Sequence, residues 1–240
     1  MKRDSFTVLV VCTGNLNRSA LGAALMRRWA EWYLPAPIAS QVRVESAGLA
    51  APVGSQMRTR TRLVAEALGG DGSGHLATQI TEGMVRAADL VLVAEAAQRD
   101  TVLGLAPGAL RNTFTIREAG VIAGELPEAE PPATLDDLRA RVAALAGHRS
   151  LADGAETDIV DPQGKDDEAY REMARQEVPA LTRLASTLFG MPAAELLAYD
   201  EAVADAAAFP FDGGAAGGGD AGADATPPDG TGRPRGRRQA

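Results

Sequence analysis

The sequence predicts an α/β domain: a parallel sheet with helices on both faces and an anion-binding loop between strand one and helix one. Three observations carry this reading. The runs Phe6–Val11 and Leu90–Ala94 are apolar or β-branched throughout, as strands buried on both faces are. Stretches of helical spacing alternate with the strand candidates, which calls for crossovers and hence parallel pairing. The first run also delivers a small polar loop, Cys12–Arg18, to a helix start, where backbone N–H groups and the positive end of the helix dipole converge.

Each element follows from its pattern. Helix one is expected from Ser19, which can cap it, with Leu21, Leu25, Trp29 and Trp32 on its apolar face and Pro35 and Pro37 ending it. Val42–Ala47 reads as strand two, with Gly48 turning the chain out. Leu63, Ala67 and Leu68 give a short helix that stops at Gly69-Gly70, and Thr81–Ala88 a second one. After the Leu90–Ala94 strand come a helix over Ala96–Leu103 and a fourth strand candidate, Asn112–Ile116. Pro127–Pro132 is a linker, and Thr134 with Asp137 forms a capping signature for a helix ending at Gly147. Asp158–Gly164 is a turn before a long helix carrying Tyr170, Met173, Leu181, Leu184 and Leu188, with a kink expected at Pro179. An Ala-rich helix is expected between Pro192 and Ala208. Beyond Phe209 the Ala, Gly, Asp and Pro composition, ending in Arg233, Arg235, Arg237 and Arg238, predicts a disordered tail.

With 240 residues, 45% of them apolar, the chain can bury one good core and have length to spare. A net charge of −8 argues against nucleic-acid or anionic-membrane binding. The apolar run after Lys2 and Arg3 is too short for a signal peptide, and no stretch is long enough to span a bilayer. One cysteine allows no intramolecular disulfide, so a cytoplasmic enzyme is the expectation.

Cys12 and Arg18 stand in the spacing C-x5-R. A loop of that length can curl so that its amides and the guanidinium surround the equatorial oxygens of a phosphoryl group while the sulfur faces phosphorus. The same field favours the thiolate, which is the nucleophile. Gly14 and Asn15 suit the left-handed backbone of such a curl, and Ser19 can donate to the sulfur. The spacing alone is a weak signal; a buried cysteine with a surface arginine would show it too. Neither GxxxxGK[ST] nor GxGxxG is present, which removes the nucleotide reading. Phosphoester cleavage also needs an acid for the leaving oxygen, and Asp161, in a turn just before a helix, is suited to reach back.

Taken together, CTGNLNRS, the ESAG of Glu45–Gly48, the GHLATQIT around His75, ADLVLV and DIVDPQG resemble the low-molecular-weight protein tyrosine phosphatases, in order over residues 6–189. The resemblance implies a four-stranded parallel sheet with helices on both faces and a phosphate-binding loop between strand 1 and helix 1. It implies a phosphatase-like domain over 1–190, an accessory helix over 191–208 and a tail over 209–240. It further implies hydrolysis of phosphotyrosine in proteins through a phosphocysteine, with no metal and no cofactor. By analogy Cys12 is the nucleophile, Arg18 and the loop residues Thr13, Gly14, Asn15, Leu16, Asn17 and Ser19 bind the phosphoryl group, and Asp161 is the acid. Asn15, Ser19, Ser46 and His75 match the network that holds the loop. His148 has no such match and reads as an ordinary residue beside a helix end.

Departures bear on the substrate. Asn17 stands where members carry a second cysteine, Ala20 where Pro follows the Ser, and Ala23 where a Glu is usual. Pro52 and Gln163 stand where aromatic residues line the slot for the ring. Arsenate reductases on this fold need further cysteines, and arginine phosphatases carry a small Thr where this chain has Leu16. The readings that remain are a tyrosine phosphatase, a phosphatase of another phosphomonoester, and a phosphate-binding regulatory module with little turnover. Arg58, Arg60 and Arg62 suggest a basic wall at the site mouth that steers acidic phosphopeptides, the alternative being a solvated helix start.

Overall fold

The structure, a computed structural model, describes residues 4–127, 130–205, 209 and 211. Strands β1 (Phe6–Cys12), β2 (Val42–Gly48), β3 (Leu90–Val93) and β4 (Thr113–Thr115) form one parallel sheet in the order β2-β1-β3-β4. β1 is buried at every position because it is central and covered on both faces. The pleat sorts its side chains into two cores: Phe6, Val8, Val10 and Cys12 join one, Leu9 and Val11 the other.

The larger core lies under α1 (Arg18–Tyr33), α3 (Thr59–Ala67), α6 (Ile116–Glu125), α7 (Leu135–Gly147), α8 (Asp167–Phe189) and α9 (Ala193–Ala204). The smaller one lies under α4 (Glu82–Ala87) and α5 (Ala96–Leu105); α2 (Ala36–Ala39) is a single turn after α1. α7 begins with the expected capping box of Thr134 and Asp137. The outer edge of β4 is blunted by Arg149, which donates to the carbonyls of Thr113 and Leu110 and lies 4.0 Å over the Phe114 ring.

Several expectations change. Ser19 does not cap α1, which begins at Arg18 with no side chain capping it. Its first-turn amides are therefore left to the loop, as an anion site requires. Trp32 is 53% exposed, not part of the buried face; the Arg28 guanidinium covers its ring. In α3 the buried side is Thr61, Val64 and Ala65, with Leu68 just beyond, so Leu63 and Ala67 were on the wrong stripe. The long helix α8 forms where expected, with Pro179 inside it, and Thr182 Oγ1 and Arg183 donate to the Pro179 carbonyl. α6 follows β4 without a linker, and its Gly120 meets Ala180 so closely that a Cβ there would lie 2.5 Å from the Ala180 Cα.

The Ala-rich helix is α9, and its Tyr199 stacks edge-on against Trp29 at 5.1 Å. Phe209 is buried and Phe211 packs on Tyr170 and Arg171, so packing reaches at least Phe211. The rest of the expected tail lies outside the described residues.

Candidate active site

The site forms at the carboxyl ends of β1 and β3, where the strand order reverses and α/β sheets open a crevice. Cys12 ends β1 in register with Gly48, and the loop then turns through Asn15, the only described non-glycine residue with positive φ (54°). Asparagine tolerates that conformation better than most residues. Gly48 lies directly beneath: a Cβ there would meet the Thr13 carbonyl at 2.7 Å and the Asn15 nitrogen at 3.0 Å. Leu49 and Ala50 amides take the Cys12 and Thr13 carbonyls, and Gln98 donates to Thr13 Oγ1 at 3.2 Å.

A directed chain of hydrogen bonds ends on the sulfur. The Thr78 amide donates to Asn15 Oδ1 at 2.9 Å, which turns Asn15 Nδ2 onto Ser19 Oγ, also at 2.9 Å. With its oxygen accepting there, the Ser19 hydroxyl is aimed at Cys12 Sγ, 2.9 Å away, and the Asn15 amide approaches the sulfur at 3.3 Å. Cys12, Asn15 and Ser19 are all buried, where donors to an anion count most. His75 Nε2 donates to the Asn15 carbonyl at 2.7 Å and so holds the left-handed turn. Burial pushes this imidazole below its ordinary pKa, against the raising effect of that carbonyl, which keeps it neutral. Ser46 is not brought into this chain. It pairs in register with Val10 and, with His75, Ala23 and Arg27, lines a cleft of about 660 Å³ behind the first turns of α1. The partner that orients Asn15 is the Thr78 amide instead, positioned because Gly48 pairs with Gln79 at the end of β2.

Arg18 is 1% exposed and is held from three directions. Nη2 donates to Asp161 Oδ2 at 2.8 Å, and Nη1 to the Ile159 carbonyl at 2.9 Å and to Glu95 Oε1. Burial works against its charge, and Asp161, Glu95 and Cys12 outweigh that, so its pKa is raised. The segment bearing Asp161 is docked on the sheet: Ile159 N–H bonds the Ala94 carbonyl, Ala96 N–H bonds Asp158, and Val160 N–H bonds Gln176 of α8. Thus Cys12, Arg18 and Asp161, 149 residues apart from first to last by the numbering, converge on one loop. Glu95 was missed in the sequence, yet it lies two residues past a buried strand at the sheet end where sites form, which is the signal that could have found it. The basic wall is not as expected: Arg60 pairs with Asp167 at 2.6 Å and Arg62 with Glu66 at 2.7 Å, while Arg58 Nε donates to Gln163. The His148 ring bonds the Ala144 carbonyl of its own helix, at 2.8 Å.

A larger cleft of about 1010 Å³ lies between α5 and α7, away from the loop. Its Arg99 and Arg149 are paired with Glu118 and its Arg139 with Asp89.

Residues 7–119 match the family model described as low molecular weight phosphotyrosine protein phosphatase. The probable low molecular weight protein-tyrosine-phosphatase EpsP of Ralstonia nicotianae is 36% identical over 112 residues, 47% of this chain and 71% of EpsP. The chain belongs to the low-molecular-weight phosphotyrosine protein phosphatase family. A protein-arginine-phosphatase of Geobacillus stearothermophilus is 28% identical over 76% of this chain and 96% of its own. Among solved structures, the tyrosine phosphatase Wzb from Escherichia coli K30 in complex with sulphate aligns with a TM-score of 0.54 at 25% identity, over 76% of this chain and 97% of Wzb. The family match takes in Cys12, Arg18, His75 and Glu95 but ends within α6. Asp161 lies beyond it and is joined to the loop by geometry.

Proposed function

We propose that this chain is a cysteine-dependent phosphatase that hydrolyses phosphotyrosine in proteins through a phosphocysteine, with residues 1–190 as the phosphatase unit and 191–208 as its accessory helix. The observation that carries the reading is the convergence of Cys12, Arg18 and Asp161 on a loop whose Ser19 hydroxyl and Asn15 amide are both aimed at the sulfur. A simple phosphate binder needs neither a nucleophile nor an acid. In the first step the Cys12 thiolate attacks phosphorus while the bond to the leaving oxygen breaks, and Asp161 gives that oxygen a proton. Arg18 and the amides of Thr13–Ser19 neutralise the equatorial oxygens as charge builds. In the second, Asp161 takes a proton from water as it attacks phosphorus, and phosphate leaves the regenerated thiolate. Asn15, Ser19 and His75 are positioning residues for the loop. A cytoplasmic location fits the single cysteine, and no helix among the described residues is long and apolar enough to cross a membrane.

One observation favours a second reading, a phosphatase of another phosphomonoester. Neither Pro52 nor Gln163 offers an aromatic ring to the slot, and the Gln163 side chain is engaged by Asn17 and Arg58. Assays on a phosphotyrosine peptide, p-nitrophenyl phosphate and alkyl phosphates test both. Wild type is expected to hydrolyse the peptide best, Cys12→Ser to be inactive, and Asp161→Ala to lose about 10²–10⁴ in kcat. Preference for the alkyl esters favours the second reading, and an inactive wild type removes both.

A further inference from the structure

Asn17, one residue before Arg18, has its side chain turned away from the sulfur. Thr61 Oγ1 donates to Asn17 Oδ1 at 2.7 Å, which fixes the amide and directs Nδ2 to Gln163 Oε1 at 3.2 Å. Gln163 Oε1 takes a second donor, Arg58 Nε, at 3.3 Å, and the Gln163 backbone N–H donates to Asp161 Oδ1 at 3.1 Å. Two successive residues of the loop therefore hold two residues of the acid segment: Arg18 holds Asp161, and Asn17 holds Gln163.

These links respond differently to the reaction proposed above, on which the inference rests. Phosphoryl binding draws Arg18 donors onto the equatorial oxygens, and Asp161 must turn a proton to the leaving oxygen, so the Arg18–Asp161 bond is given up during turnover. The Asn17–Gln163 bond is uncharged and makes no demand on either group. We propose that Asn17 and Gln163 form a tether that keeps the Asp161 segment in register over the sulfur after Arg18 releases it. They are positioning residues, acting on proton transfer through Asp161. Asn17 is 4% exposed and braced by buried Thr61, whereas Gln163 is exposed, so the link is worth one ordinary hydrogen bond, about five- to tenfold in rate.

A tether on the acid matters only where the leaving oxygen needs a proton. The test is kcat/KM, which reports steps up to phosphocysteine formation, for dinitrophenyl, p-nitrophenyl and phenyl phosphates with Gln163→Ala, with Thr61→Val, which removes the donor that directs the Asn17 amide to Gln163, and with the double variant. The expected result is a dinitrophenyl rate within about twofold of wild type, a phenyl rate lowered about five- to tenfold, and a double variant no slower than the slower single one. Equal losses across the three esters, or losses that multiply in the double variant, overturn the tether. Phosphate-protected alkylation of Cys12 by iodoacetate, unchanged in rate, shows that the loop itself is intact; a changed rate also overturns it. Cys12-dependent hydrolysis of dinitrophenyl phosphate by wild type keeps the phosphatase reading standing if the tether fails, and its absence removes that reading.

Discussion

Single atoms decide the shape of the loop. Gly48 is a glycine because the loop lies on it: a methyl group there would lie 2.7 Å from the Thr13 carbonyl and 3.0 Å from the Asn15 amide that approaches the sulfur. Both obstacles are backbone and cannot swing aside, so Gly48→Ala is expected to lower kcat/KM at least about 100-fold, in line with a misplacement of about 1 Å at a reacting centre. The fold should survive, and circular dichroism matching wild type alongside the kinetic loss checks this. Activity within a few-fold of wild type would mean that the loop yields. Ser19 makes the same point about legibility. Its type and position before an apolar stripe suit an N-cap, but the Asn15 side chain and the sulfur both lie within reach, and they use the hydroxyl instead.

Elements were legible where one local pattern decided them. The buried strands β1 and β3 and the capped helix α7 match their expected positions closely. α6 was not legible: it starts directly at the end of β4, its sequence contains two glycines, and only contact with α8 at Ala180 explains Gly120. α9 was legible as a helix but not as a clamp. Trp29, fully buried, donates its Nε1 proton to Tyr199 Oη at 2.8 Å, and that hydroxyl reaches the Leu68 carbonyl at 3.3 Å. Tyr199→Phe strands the indole donor, at a cost of about 1–3 kcal/mol. For a chain of this size the expected drop in Tm is about 2–10 °C, read by calorimetry, with kcat/KM unchanged because α9 makes no contact with the loop through these groups. An unchanged Tm would show that the α9 contact is not stabilising.

At the scale of the molecule, the fold was readable from strands and loop, whereas long-range electrostatics was not, because it depends on which helices meet. Glu177 is the clearest case: in sequence it is one charge on a long helix, yet its carboxyl is fully buried beside Gly22 with no full hydrogen bond to either oxygen. Burial raises its pKa well above the carboxylate range, and Arg18 and the Gly22 amide only partly oppose this. The folded state therefore holds a proton that the unfolded chain releases above about pH 4.3, and stability falls as pH rises from there toward the folded pKa, by about 1.4 kcal/mol per unit. Glu177→Gln removes that slope. Its Tm should gain on wild type as pH rises above about 4.3, where the unfolded chain gives up the proton that the fold retains; parallel curves would show that Glu177 is ionised in the fold. Arg18, one turn before Gly22 on α1, carries a wider consequence. Since Asp161, Glu95 and a backbone carbonyl already engage both of its terminal nitrogens, in the proposed reaction an arriving phosphoryl group exchanges partners with the protein's own carboxylates. Affinity is then a difference between two well-made anion complexes, and the carboxylates that yield to substrate are the same groups that compete product phosphate out of the loop.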